Sequence, residues 1–127
     1  MAKESGLIRV IICGTRTFDD YDLLKITIDH LYQNKEIIII SGGANGADKL
    51  GERYAKNRGL KVITYEAKWE VYGKSAGPRR NSVMAANADE CVAFWDGVSK
   101  GTEHMLSCCQ RFGVLLHLVK LNNYDTI

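Results

Sequence analysis

Four stretches of this chain set glycine, small polar residues and charge just behind an apolar run or at the opening of a helical pattern. They are Gly14-Thr15-Arg16, Ser41-Gly42-Gly43-Ala44-Asn45-Gly46-Ala47-Asp48, Gly77-Pro78-Arg79-Arg80-Asn81, and Trp95-Asp96-Gly97 through Ser99, Gly101 and Thr102. Glycine lets a backbone approach an anion closely, and the free N–H groups and dipole of a helix N-terminus attract one. The chemistry such stretches support together is the holding of a phosphorylated ligand. The second stretch has the context a phosphate loop needs, because it follows four consecutive isoleucines and leads into a helical pattern. Its spacing is neither the GxGxxG of dinucleotide dehydrogenases nor the GK[ST] of a P-loop, and a plain strand-to-helix turn would use the same residues.

Arg79 and Arg80 fall where the first turn of a helix is expected, a place where positive charge opposes the helix dipole. A bound phosphate reverses that penalty, and Arg16 adds to the same positive patch; a surface pair with a carboxylate is the alternative. Asp48, Asp96 and Glu103 are the candidate catalytic groups, since carboxylates bind ribose hydroxyls or act as acid or base. Asp48 and Glu103 would equally suit helix N-termini, and Asp96 a turn held by its own side chain. Trp69, Tyr72 and Trp95 offer aromatic faces for a base, with Trp95 at a strand end equally suited to the core.

The elements that must position these groups alternate. Residues 8–13, 37–40, 61–65, 91–95 and 114–119 are short and rich in β-branched or aromatic side chains, as buried parallel strands are. Leu24, Thr27, Ile28 and Leu31 recur at helical spacing, with Asp19, Asp20 and Asp22 at the N-terminal end and Asn34 near the stop. Ala47, Leu50, Tyr54 and Ala55 make a second stripe that Gly59 would end. Residues 66–76 show no sustained period and are expected to form an irregular loop, with a helix opening near Pro78. A last helix is expected over about 101–112, with Met105, Cys108, Cys109 and Phe112 inward and Gly113 ending it. This alternation predicts an α/β, Rossmann-like three-layer sandwich with a mainly parallel five-stranded sheet, whose loops gather at the carboxyl edge.

The 127 residues suit one domain spanning 1–127. A composition 46% hydrophobic and 25% charged is that of an ordinary globular chain, not a disordered one. With 17 basic and 15 acidic side chains the net charge is only +2, which disfavours a broad nucleic-acid surface while leaving room for a local anion site. The first six residues lack a secretory h-region, and no apolar run approaches the roughly 20 residues of a membrane helix, so a cytoplasmic protein without a membrane partner is expected. Cys13, Cys91, Cys108 and Cys109 form no CxxC pair and read as buried reduced thiols. The three histidines lack ligand spacing. No structural metal and no required cofactor are expected.

The same four stretches carry a family resemblance. Cys13-Gly14-Thr15-Arg16-Thr17-Phe18-Asp19, residues 41–48, Gly77-Pro78-Arg79-Arg80-Asn81-Ser82-Val83-Met84 and residues 94–102 resemble, in combination and over nearly the whole chain, the motifs of the YspA-like branch of the SLOG superfamily. The resemblance implies a Rossmann-like nucleotide-binding domain that assembles as a dimer or tetramer. The wider superfamily includes cytokinin-activating phosphoribohydrolases, DNA-processing DprA proteins and sensors of NAD-derived signals, so membership alone does not fix function. Arg80, Met84 and Asp89 match the hydrolases' R-K-x-x-M-x-x-x-[AS]-D segment loosely, with Asn81 in place of its lysine. Aligning Gly101-Thr102 with their PGGxGTxEE motif puts His104 and Met105 where the two glutamates belong and Glu103 on the variable position.

Three functions follow in order of expectation. The first is binding of a nucleotide or an ADP-ribose-like NAD derivative for sensing or sequestration. Gly42, Gly43 and Gly46 would admit the phosphate, Arg16, Arg79 and Arg80 would neutralise it, and Asp48 or Asp96 would fix ribose hydroxyls. The second is hydrolysis of the N-glycosidic bond of a nucleoside monophosphate. The third, a DprA-like DNA-binding module, is disfavoured by the near-neutral charge.

Overall fold

The computed structural model describes residues 6–121; the reading of residues 1–5 as lacking a leader lies outside them. Five strands, β1 (Leu7–Gly14), β2 (Glu36–Ser41), β3 (Val62–Thr64), β4 (Glu90–Trp95) and β5 (Leu115–Lys120), form one sheet in the order β3-β2-β1-β4-β5. Every pairing is parallel. The helices are α1 (Tyr21–Leu31), α2 (Ala47–Arg58), α3 (Trp69–Tyr72), α4 (Ala76–Ala86) and α5 (Lys100–Phe112).

Alternation along β1 divides the core in two. Val10 and Ile12 point to the layer of α1 and α2, where Leu24, Ile28, Tyr54 and Ala55 pack with Phe94. Ile11 and Cys13 point to the layer of α4 and α5, among Met84, Ala85, Met105, Cys108 and Cys109. The period of two along the strand and 3.6 along the helices therefore produces the expected three layers. All four cysteines are buried free thiols, and Cys13 Sγ lies 3.7 Å from Cys91 Sγ.

The helix ends follow their residues. Asp20 caps α1, its carboxylate accepting from the Leu23 N–H at 3.0 Å. Gly59 and Gly113 end α2 and α5 in the left-handed conformation, at φ 68° and 71°.

Four expectations need correction. The segment 66–76 is not one irregular loop: it holds α3 and a 3-10 turn over Gly73–Ser75 that leads straight into α4. Helix α4 starts at Ala76, two residues before Pro78, because the buried Ala76 and Gly77 continue that turn. Arg79 and Arg80 are thus its fourth and fifth residues, just beyond the first turn. Phe112 is 43% exposed, not inward: it is the last residue of α5, with only the turn at Gly113 ahead of it. Strands β3 and β5 are edges and only partly buried, whereas β1, β2 and β4 supply the fully buried runs. Among the described residues no helix is long and apolar enough to cross a membrane, and no group of three His, Cys, Asp or Glu side chains is placed to hold a metal ion.

Candidate functional site

The chain winds from β1 to β2 to β3 in one direction and then returns to place β4 on the other side of β1, so the sheet order reverses between β1 and β4. Loops diverge at the carboxyl ends of strands flanking such a switch, and a crevice opens there. The crevice is present as a cavity of about 280 Å³. Cys13, Gly14 and Arg16 line it from the β1 loop, Ala44 and Asp48 from the β2 loop and α2, and Arg80, Asn81 and Met84 from α4. Ser99, Lys100, Gly101, Thr102 and Met105 close it from the start of α5.

The β1 and β4 loops are laced together behind the cavity. The Thr15 N–H donates to Phe94 O at 2.9 Å, and the Asp96 N–H donates to Thr15 Oγ1 at 3.1 Å. Gly14 (φ 155°) lies so close to the Phe94 carbonyl that a Cβ would overlap it. Gly46 (φ 80°) likewise sits under the Thr15 and Arg16 backbone, so it packs the β2 loop against the β1 loop rather than facing a ligand. Both positions require glycine for close approach.

Asp96 accepts from the N–H groups of Val98 at 2.8 Å and Ser99 at 2.9 Å. These two donors, Ser99 first, hold its carboxyl below the usual range. With Gly97 at φ 84° and the Trp95 indole N–H donating to Ser99 O at 3.0 Å, the segment forms a fixed turn that presents the α5 N-terminus to the cavity. No side chain caps α5 at Ser99. Its first N–H groups therefore remain available to an anion. Asn81, itself buried, braces the arrangement by donating to Gly101 O at 3.3 Å and accepting from Arg80 Nε at 3.1 Å.

Arg80 and Asp48 form the other wall. Arg80 Nη1 donates to Gly42 O at 2.6 Å, and Asp48 Oδ2 accepts from the Ala44 N–H at 3.2 Å. Burial pushes the Asp48 carboxyl up to about 6, against the opposing pull of the Ala44 N–H and the Arg80 charge. A wider groove of about 520 Å³ adjoins this wall, lined by Gly42, Gly43, Asn45, Lys49, Glu52, Thr64, Glu66 and Trp69. Arg16, Ala44 and Arg80 line both spaces, so the two are continuous.

The crevice thus brings together Gly14, Arg16, Asp48, Arg80, Asn81, Ser99, Gly101 and Thr102, with Gly42, Gly43 and Asn45 in the adjoining groove. Arg79 lies outside both: its guanidinium covers the Tyr72 ring at 4.2 Å and its Nε donates to Ser75 Oγ. Glu103 is also elsewhere, facing a hollow with Leu106, Cys109 and Leu116, and is half-exposed beside Lys100 at 3.7 Å. Thr15, Gly46, Trp95, Asp96 and Gly97 support the walls from behind. The sequence did not single out Lys100 as a site residue, although it lies between Ser99 and Gly101, and Met105 reads there as core; Met84, noted only for its match to the hydrolase segment, also lines the cavity.

Comparison with known proteins agrees with this architecture. The family model described as YspA, cpYpsA-related SLOG family matches residues 8–72. The Gene 61 protein of Mycobacterium phage D29 is 37% identical over 117 residues, covering 84% of this chain and 91% of that protein. In fold, the chain is similar to the X-ray structure of DNA processing protein A (DprA) from Streptococcus pneumoniae, with a TM-score of 0.74 at 17% identity. That likeness covers 95% of this chain but 53% of the DprA chain, so the present chain spans about half its length.

Proposed function

Taking as premise that the chain belongs to the YspA, cpYpsA-related SLOG family, we propose that it binds a phosphorylated nucleotide, of the nucleoside monophosphate or ADP-ribose class, at the switch-point crevice and returns it unchanged. The observation that carries this reading is the convergence of Arg16, Arg80 and the uncapped N-terminus of α5 on one cavity. Preorganised N–H donors and guanidinium groups are what a phosphate demands. Lys100 adds a third cation at the rim. Asp48, the one carboxylate among the described residues that line the cavity, would meet a ribose hydroxyl.

The carboxylates also favour binding over N-glycosidic hydrolysis. Glu103 faces away from the crevice, and Asp96 is committed to two backbone donors. Among the described residues lining the cavity itself, hydrolysis would then rest on Asp48, without a second carboxylate there to divide the work of stabilising the ribosyl cation and activating water. Incubation of the protein with AMP, ADP-ribose and cyclic ADP-ribose, followed by denaturation and chromatography, separates the two activities. Stoichiometric recovery of intact ligand supports binding. Repeated release of free base with ribose 5-phosphate, abolished in Asp48→Asn, would establish a hydrolase instead.

A further inference from the structure

Trp69 stands apart from the other aromatic candidates. The Trp95 indole N–H is used by Ser99 O, and the Tyr72 ring is covered by Arg79. The benzo ring of Trp69 instead rests over Gly77, where a Cβ would stand 3.3 Å from it, and the residue is still 52% exposed. The indole is therefore held in place on one side while much of its surface remains open within a groove whose other walls are polar. Glu66, three residues earlier in the chain and outside α3, lines the same groove, is exposed, and makes no hydrogen bond or ion pair among the described residues. A rigid, half-exposed indole beside an unengaged carboxylate suits a nucleobase: the ring stacks, and the carboxylate accepts from an exocyclic amino group.

We propose that the groove is a base subsite in which Trp69 stacks on an amino-bearing nucleobase and Glu66 reads its amino group, so that the ligand is an extended nucleotide reaching from the switch-point cavity across Arg80 to the groove. The proposal rests on the reading that the cavity holds the phosphorylated sugar, and it selects the ADP-ribose class over a short sugar phosphate. Continuity of the two spaces through Arg16, Ala44 and Arg80 supplies the path.

Calorimetry with ribose 5-phosphate, ADP-ribose and the hypoxanthine analogue of ADP-ribose tests it on the intact chain. The expected order is ADP-ribose, then the hypoxanthine analogue, then ribose 5-phosphate. Trp69→Ala should cost ADP-ribose about tenfold in affinity, within the range for one stacked base, and leave ribose 5-phosphate unchanged. Trp69→Phe should retain most of the gain, and Glu66→Gln should erase the preference for adenine over hypoxanthine. Because Trp69→Ala also removes packing on Gly77, a second readout uses the wild-type chain. The indole N–H resonance assigned by Trp69→Phe should shift with ADP-ribose and stay in place with ribose 5-phosphate. Binding of ribose 5-phosphate with no gain for ADP-ribose, or a gain that survives Trp69→Ala, overturns the base subsite while sparing the phosphate site. Failure of wild-type protein to bind any of the three overturns both.

Discussion

Arg80 and Asp48 meet over the bare α-carbon of Gly42: a Cβ there would stand 2.9 Å from both Arg80 Nη1 and Asp48 Oδ2. The absent side chain lets a guanidinium from α4 reach the β2 loop and dock on the Gly42 carbonyl at 2.6 Å. Layers on opposite faces of the sheet are thereby joined at the crevice.

Gly42→Ala should therefore act on binding. Displacing Arg80 from its carbonyl is expected to lower nucleotide affinity about tenfold, the scale of one charge-assisted hydrogen bond, while circular dichroism shows the native fold. Gly43→Ala makes the contrast. A Cβ at Gly43 has ordinary room, 3.5 Å from Thr64, but φ is 73°. Its cost is conformational, roughly 1–2 kcal/mol of stability, read by denaturant unfolding.

The raised carboxyl of Asp48 gives a pH dependence with a definite sign. Its folded value of about 6 lies above the ordinary aspartate value of 3.8, so the folded chain holds the proton more tightly than the unfolded one. The associated stability is complete below about pH 4 and is lost as pH rises through about 6, a loss of up to about 3 kcal/mol. Asp48→Asn should remove this component, which unfolding measured across pH 4 to 8 will show as a flatter profile.

Glu103→Gln should change neither nucleotide affinity nor, beyond about 0.5 kcal/mol, stability, because exposed ion pairs such as the one with Lys100 contribute little. Calorimetry and thermal unfolding check both. A lost affinity would bring α5 into the site by a face the crevice does not use.

The sheet was legible in the sequence because β1, β2 and β4 are short apolar runs rich in β-branched or aromatic residues, and α1 and α2 carry a clear 3.6 period. The loops of the site were legible from Gly42, Gly43 and Arg16 for a related reason: glycine and arginine beside a strand end serve no core purpose, while Arg80 was legible as a cation close to the start of a helix. Three features were not legible. Helix α3 is four residues long, too short to display a period, and is followed by Gly73 at φ 56°. The distribution of Arg79 and Arg80 depends on the start of α4, since adjacent helical residues point about 100° apart; only the true register assigns Arg80 to the crevice and Arg79 to Tyr72. Glu103 directly follows the Gly101-Thr102 pair in sequence, yet its orientation is fixed by the inward face of α5, which Met105, Cys108 and Cys109 occupy.

The most direct test of the phosphate crevice is calorimetry on wild type and Arg16→Ala with AMP, ADP-ribose and a short single-stranded oligonucleotide. Arg16 is exposed and lines both the cavity and the groove, so its removal should leave the fold intact. The account predicts that wild type binds AMP or ADP-ribose at one site per chain, and that Arg16→Ala weakens that binding by roughly 1.5–3 kcal/mol at unchanged melting temperature. Equal affinity in the two proteins, or binding of the oligonucleotide alone, would contradict it.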